Sequence, residues 1–108
     1  MELRHLRYFV AVAEEKSFNK AAERLFISQP PLSRQIKQLE EEIGVTLIDR
    51  DNRPLKLTEA GDFFYDHALQ IIKKSDDLRA MTFRKGSFDH TLSIGFVSSI
   101  LYGILPKV

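Results

Sequence analysis

Residues 18–37 limit the possible folds of this chain more than any other segment, because their pattern predicts two short helices joined by a tight turn. The first helix carries small and apolar residues at helical spacing, namely Ala21, Ala22, Leu25 and Phe26. Two adjacent alanines let another helix approach closely, which the steep crossing of a helix-turn-helix needs. Ser28 is predicted to cap the second helix. Pro30 and Pro31 suit its first turn, where an N–H group has no helical partner.

The second helix separates its apolar and polar side chains onto opposite faces. Steps of four, three and four residues give it one narrow apolar stripe, made of Leu32, Ile36, Leu39 and Ile43. The opposite face, with its flank, consists of Gln29, Pro30, Ser33, Arg34 and Lys37. Its amide, hydroxyl, guanidinium and ammonium groups are those that hydrogen-bond to base edges and phosphates. This face predicts DNA binding, and the alternative is an ordinary solvated helix surface.

The charge of the chain is compatible with this prediction once it is divided along the sequence. The 108 residues carry a formal net charge of +1, but residues 16–37 hold five cationic side chains against one carboxylate, a local balance of +4. Phosphate affinity depends on such a local basic face more than on the global charge. An apolar fraction of 44% and a charged fraction of 29% are typical of one soluble globular domain.

Several other classes of protein are disfavoured. The chain has no cysteine, which excludes disulfides and thiolate metal ligands. His5, His67 and His90 are too scattered to combine with a nucleophile or a second metal ligand, so we expect no enzyme, no cofactor and no metal. The N-terminus lacks the apolar core of a signal peptide, and no apolar run reaches membrane-spanning length. We therefore expect a cytoplasmic protein without membrane contact.

Start and stop signals predict three helices followed by a hairpin. The apolar face of residues 3–13 predicts a first helix of about three turns. Ser17 is predicted to cap the second helix, and Gly44 to end the third.

The hairpin is predicted at residues 45–57. Its apolar ends bracket a charged tip at 49–54, which is the pattern of two short strands joined by a turn. Residues 1–58 are thus predicted to form a mainly α winged helix-turn-helix domain, with the helix-turn-helix at 18–37 and the wing at 45–57.

A long linker helix is predicted at residues 59–85, with Thr58 as its cap. Its apolar stripe is made of Phe64, Ala68, Ile71, Ser75, Leu78 and Thr82, broadened by Phe63, Ile72 and Met81. The small preceding domain cannot cover a helix of this length, so we expect the stripe to form a dimer interface with its own copy. The alternative is that the whole stripe packs on its own domain.

The remaining residues predict a hinge and then the beginning of a second domain. Residues 86–90 are the hinge, and residues 91–97 alternate as a strand does. Ser98 and Ser99 then open a short apolar helix. One strand and a few helical residues cannot form a domain, so residues 91–108 are expected to be the first strand and helix start of a larger one. The chain is accordingly expected to be the N-terminal part of a longer protein.

An ordered set of motifs resembles the LysR-type transcriptional regulators. The set comprises LRHLRYF at 3–9, SF at 17–18, AA at 21–22, SQPPLSRQI at 28–36, LIDR at 47–50, RP at 53–54 and LTEAG at 57–61. Ile48 stands where the family commonly has Phe, a change of packing that puts no function in doubt. MELRHLRYFV at 1–10 and GFVSS at 95–99 are most similar to the muconate- and benzoate-responsive regulators of aromatic catabolism.

This resemblance implies DNA-binding roles for individual residues. The third helix would enter the major groove, where base edges and thymine methyls would meet Gln29, Pro30, Pro31, Ser33 and Arg34. Lys37 and the N–H groups at the helix start would hold phosphates. Arg53, at the wing tip, would enter the neighbouring minor groove. Arg50 lies beside Asp49 and Asp51 and is open to a structural ion-pair role instead.

The resemblance also implies the assembly and the ligand of a full-length protein. A homodimer through the linker helix would read a T–A flanked interrupted palindrome, and the full-length protein would form a tetramer. The missing α/β domain would sense a small aromatic-derived carboxylate. Ser99, with Ser98 beside it, would contact that effector, because a helix start favours an anion; the alternative is that both serines are only caps. A competing function is a winged-helix protein-interaction or oligomerisation module, which the polar outer face of the third helix disfavours.

Overall fold

Six elements follow one another in the computed structural model, which describes the backbone of residues 1–94 and the side chains of residues 1–87. They are α1 (Leu3–Glu15), α2 (Phe18–Leu25), α3 (Gln29–Ile43), β1 (Ile48–Asp49), β2 (Lys56–Leu57) and α4 (Glu59–Ile94). The order confirms a mainly α winged helix-turn-helix followed by a long helix. The chain divides into two units, Met1–Ile72 and a second that begins at Lys73, and each is described by itself.

The helix ends follow the predicted signals, with one exception. The Ser17 Oγ accepts a hydrogen bond from the N–H of Lys20 at 3.1 Å, and Gly44 ends α3 at a φ of 92°. Ser28 occupies the cap position of α3, but its side chain accepts no capping hydrogen bond, so that prediction was wrong. A cap side chain accepts from the second or third N–H of its helix. In α3 these positions are Pro30 and Pro31, which have no N–H.

The core of the first unit is built from one face of each of its helices. Its fully buried side chains include Phe9, Val12, Ala21, Leu32, Ile36, Leu39, Leu47 and Ile48. Three of the four predicted stripe residues of α3 are therefore buried, whereas the fourth, Ile43, is 40% exposed at the helix end. The polar face of α3 is thus held outward by apolar burial of its opposite face.

The wing is a shorter hairpin than predicted. β1 and β2 pair antiparallel, with Ile48 opposite Leu57 and Asp49 opposite Lys56. The strands extend over two residues each, in place of the predicted 45–48 and 55–57. One reason is that the backbone N–H groups of Leu47 and Ile48 donate to a side chain of α3, not to a neighbouring strand.

α4 begins in close contact with the residues that lead into the wing. The Thr58 Oγ1 accepts from the N–H of Gly61 at 3.0 Å and donates to the carbonyl of Thr46 at 2.7 Å. A Cβ added at Gly61 would lie 2.0 Å from the carbonyl oxygen of Leu47, so only glycine fits there. One turn later, the ring of Phe64 meets that of Phe9 edge-on at 5.1 Å.

The backbone beyond Lys85 differs from the prediction. Residues 86–94 continue α4, where a hinge and the start of a strand were expected. Gly86 alone costs a helix only about 1 kcal/mol relative to alanine, and residues 59–94 contain no proline that would end it. The rest of the predicted strand, with Ser98 and Ser99, lies outside the described residues. Across the part of the chain that is described, no helix has the length and apolar character needed to cross a membrane.

Candidate nucleic-acid interface

The outer face of α3 presents the predicted polar residues together. Arg34 and Lys37 are exposed, and Gln29 and Ser33 are half-buried on the same side. Within residues 1–87, the side chains of Arg34 and Lys37 make no hydrogen bond or ion pair. Their cationic groups are therefore available to a partner, on a helix whose inner face is fixed in the core.

The two prolines change what the start of α3 can do. Pro30 is exposed and Pro31 half-buried, so Pro30 in particular offers apolar surface beside Gln29. Because prolines lack an N–H, the predicted phosphate contact through the N–H groups at this helix start is reduced. Of the first three residues of α3, Gln29 alone retains a backbone donor.

A buried carboxylate joins α3 to the wing. The Glu40 Oε2 accepts from the N–H groups of Leu47 and Ile48 at 2.8 and 3.0 Å, and Oε1 accepts from the Arg50 Nη1 at 2.9 Å. The guanidinium of Arg50 also lies 5.4 Å from the centre of the Phe18 ring. Arg50 therefore has a structural role, with Glu40 as its partner and not the neighbouring aspartates.

The sequence analysis assigned no role to Glu40. A signal was present, since Glu40 follows Leu32 and Ile36 at intervals of four residues and so lies on the buried face of α3. A carboxylate in that position needs partners, and two backbone N–H groups and one guanidinium supply them.

The wing tip presents Arg53 to solvent. Its Nη1 donates to the carbonyls of Arg50 and Asn52 at 2.6 and 2.9 Å. The Asp49 carboxylate orders the same turn by accepting from the N–H of Asp51 at 3.0 Å and from the Asn52 amide at 2.8 Å. The Arg53 side chain is exposed at a tip that is itself hydrogen-bonded.

Two further cations lie beside the wing tip. Lys16 and Lys56 line one shallow groove together with Arg53, and both have exposed side chains. The local basic balance of residues 16–37 includes Lys16 but not Lys56. The wing side of the domain therefore carries cations in addition to those of α3, with Asp62 as a carboxylate on the same groove.

Arg24 does not contribute to that basic surface as expected. Its guanidinium lies 2.8 Å from Glu14 and 3.2 Å from Glu15. Tyr65, on α4, donates its hydroxyl to the other Glu14 oxygen at 2.6 Å. This hydrogen bond raises the pKa of Tyr65 to about 12. The same bond, together with Arg24, holds the pKa of Glu14 below its ordinary value.

The predicted dimer stripe of α4 separates into two groups. Phe64 is half-buried and Ala68 is buried, and both pack against hydrophobic clusters of their own unit. Ile71 remains exposed. In the second unit, Leu78 is 61% exposed, Thr82 is exposed and Ser75 is half-buried. The exposed apolar side chains also include Met81, Phe83, Phe63 and Leu69.

Residues 3–62 match the family described as bacterial regulatory helix-turn-helix proteins of the lysR family. This chain belongs to the LysR family. The matched residues contain the complete helix-turn-helix, the wing and the first turn of α4, which are the elements that position Arg34 and Arg53.

Other LysR-family proteins resemble this chain over most of its length. This chain is 56% identical over 108 residues to the HTH-type transcriptional regulator BenM of Acinetobacter baylyi. The match covers all of this chain and 36% of the length of BenM. The structure of the BenM DNA-binding domain with benA site 1 DNA is 57% identical, covers 81% of this chain and 98% of that one, and has a TM-score of 0.79. The structure of the CbnR DNA-binding domain with DNA is 40% identical in sequence and has a TM-score of 0.76. The match covers 80% of this chain and 99% of the CbnR chain.

Proposed function

We propose that this chain is the sequence-specific double-stranded DNA-binding part of a LysR-family transcriptional regulator. The observation that carries the proposal is the outer face of α3, where Arg34 and Lys37 are exposed without a described partner on a helix fixed by its buried face. Similar domains of BenM and CbnR, in the same fold, have been solved bound to DNA. The polar character of this face disfavours the competing protein-interaction module, which needs large exposed apolar residues there.

In this proposal α3 reads the major groove. The Arg34 fork matches guanine O6 and N7, and the Gln29 amide matches adenine N6 and N7. Ser33 hydrogen-bonds a base or a phosphate, and the exposed ring of Pro30 contacts a thymine methyl. Lys37 neutralises a phosphate and fixes the register of the helix without reading sequence.

The wing contacts the neighbouring minor groove through Arg53. A narrow A·T-rich minor groove concentrates negative potential and attracts an arginine side chain. Glu40 and Arg50 hold the wing against α3, so the two contacts have one fixed spacing. We expect Arg53→Ala to cost less affinity than Arg34→Ala and to act through flanking sequence.

A homodimer supplies the second half-site. The exposed apolar residues of the second unit, including Leu78, Met81 and Phe83, provide the surface for pairing with a second copy. Two copies related by a two-fold axis read an interrupted palindrome with T–A flanks. In a full-length cytoplasmic protein we expect a tetramer and control by an aromatic-derived carboxylate, with Ser99 and its neighbour Ser98 as effector contacts, as the resemblance to regulators of aromatic catabolism implies.

The proposal is tested with Arg34→Ala, using the benA site 1 duplex and a scrambled duplex of equal length as probes. We expect a loss of about 1–3 kcal/mol on the specific duplex and a much smaller loss on the scrambled one. Lys37→Ala should weaken both and lower the slope of log K against log salt by about 1. Arg79→Ala removes the same charge from an exposed position 3.8 Å from Asp76 and serves as the control. A folded Arg34→Ala variant with an unchanged ratio of the two affinities would refute the assignment.

A further inference from the structure

Phe26 combines two features that are rarely found together. It ends α2 in the left-handed region, at φ 59° and ψ 41°. Its N–H donates to the carbonyl of Glu23 at 3.2 Å, and the N–H of Ile27 donates to that of Ala22 at 3.0 Å. This is the helix-ending arrangement in which glycine is usual. The side chain of Phe26 is also 94% exposed.

Neither feature of Phe26 stabilises the folded domain. A Cβ in the left-handed region is crowded by the neighbouring carbonyl, most severely for a bulky residue. Because the ring is exposed, core packing does not offset this strain. Lys16 also has a positive φ, but its long charged side chain is suited to water. Strained residues of this kind concentrate at sites of function.

The position of Phe26 connects it to the proposed DNA-reading face. It lies in the turn between α2 and α3, two residues before Ser28 and three before Gln29. The half-buried Ile27 follows it, so the turn has an inward apolar residue beside an outward one. Phe26 is therefore an exposed apolar side chain in the turn that leads directly into Gln29 and Pro30.

We propose that Phe26 extends this surface as an apolar DNA contact, with its ring against deoxyribose carbons and a thymine methyl at the edge of the major groove. The inference rests on the proposed DNA-binding function and adds to it a residue of a different chemistry. Sugar carbons and the thymine C5-methyl are the apolar surfaces that DNA offers there, and apolar contacts of this kind help to read thymine. The contact neutralises no phosphate.

Strain and contact predict effects of opposite sign for one substitution. Phe26→Gly relieves the left-handed strain, so the midpoint of thermal unfolding should rise by about 2–5 °C. The same change removes the ring, so the Kd for the benA site 1 duplex should rise about fivefold. The slope of log K against log salt should stay unchanged, because no counterion-releasing contact is lost.

Two matched variants separate strain from contact. Phe26→Leu keeps the strain and most of the apolar carbon, so we expect no rise in the unfolding midpoint and a smaller loss of affinity than for Phe26→Gly. Val45→Ala truncates another exposed apolar side chain at the far end of α3 and should leave binding unchanged.

The measurements are thermal unfolding, fluorescence anisotropy with the benA site 1 duplex at several salt concentrations, and sedimentation. If the unaltered chain prefers this duplex to the scrambled one and Phe26→Gly binds it equally well, the inference is overturned and the proposed function stands. If Phe26→Gly changes self-association without changing DNA affinity, the ring contacts protein and the inference is also overturned. If the unaltered chain shows no preference between the duplexes, the proposed function has failed first.

Discussion

Two stretches of α4, residues 59–72 and 73–87, have similar apolar patterns and different surroundings. In the first stretch, Gly61 lies against the Leu47 carbonyl, and Phe64 and Ala68 are covered by their own unit. In the second stretch, Leu78 and Met81 are more than half exposed. Its polar contacts include the exposed pair of Lys73 and Asp77 at 3.0 Å. Helical periodicity identifies residues that share a face, but it does not identify what covers that face.

The largest expected difference between the two stretches is the effect of replacing their glycines. Gly61→Ala should destabilise the fold by about 3 kcal/mol, because the new Cβ would meet a backbone oxygen that cannot move aside. Gly86→Ala should stabilise it by about 0.5–1 kcal/mol, because no atom lies within 4 Å of the added Cβ and alanine favours a helix. Urea unfolding of both variants measures the two effects. Changes of the same sign would show that the two stretches are not differently packed.

A charge placed on the exposed face of the second stretch should affect association and not folding. We expect Leu78→Glu to weaken self-association at least tenfold, on the order of 1.4 kcal/mol, since it would bury a carboxylate in the proposed interface. The midpoint of urea unfolding should stay close to that of the unaltered monomer, because Leu78 is already 61% exposed. Gln70→Glu adds the same charge at another exposed position of α4 and controls for net charge. If the unaltered chain, Leu78→Glu and Gln70→Glu sediment equally, Leu78 is not part of the interface.

The hydrogen bond from Tyr65 to Glu14 predicts a smaller, pH-dependent effect in the first stretch. Tyr65→Phe should cost about 0.5–1 kcal/mol at neutral pH, a modest value because the Glu14 carboxylate is partly exposed. The lowered pKa of Glu14 means that its contribution is present above the ordinary carboxyl pKa and is lost as the pH falls through the lowered one. The raised pKa of Tyr65 means that its contribution is complete below the ordinary tyrosine pKa and is lost as the pH rises through about 12.

The check is urea unfolding of both proteins across pH. The difference in stability between the unaltered chain and Tyr65→Phe should be largest between the ordinary pKa values of a carboxyl group and a tyrosine, and it should shrink as the pH falls through the lowered pKa of Glu14. A difference that does not vary with pH would mean that the tyrosine stabilises through packing alone.

Features fixed by local chemistry were predictable from the sequence. The Ser17 cap, the Gly44 stop and the Thr58 cap each depend on a few neighbouring residues, and all three are present. The polar face of α3 followed from the spacing of Leu32 and Ile36. These predictions needed no information about distant parts of the chain.

Features that depend on distant contacts were not predictable. The Ser28 cap is not such a case, because the two prolines that remove its donors follow it directly in the sequence. Glu40 required knowledge that the N–H groups of the wing approach α3, and Ala68 required knowledge that α1 covers the start of α4. Partners far apart in sequence decide such contacts, and one helical repeat is compatible with more than one partner.

The carboxylate of Glu40 has a consequence for the entropy of forming the proposed DNA complex. A free loop would lose backbone freedom on meeting a groove, at about 1–2 kcal/mol for each residue that becomes ordered. In this chain Glu40 holds the start of the hairpin and Arg50 through three hydrogen bonds, so that freedom is lost when the domain folds. The wing then docks as a preorganised element, and little of the affinity that Arg53 provides is spent on ordering it.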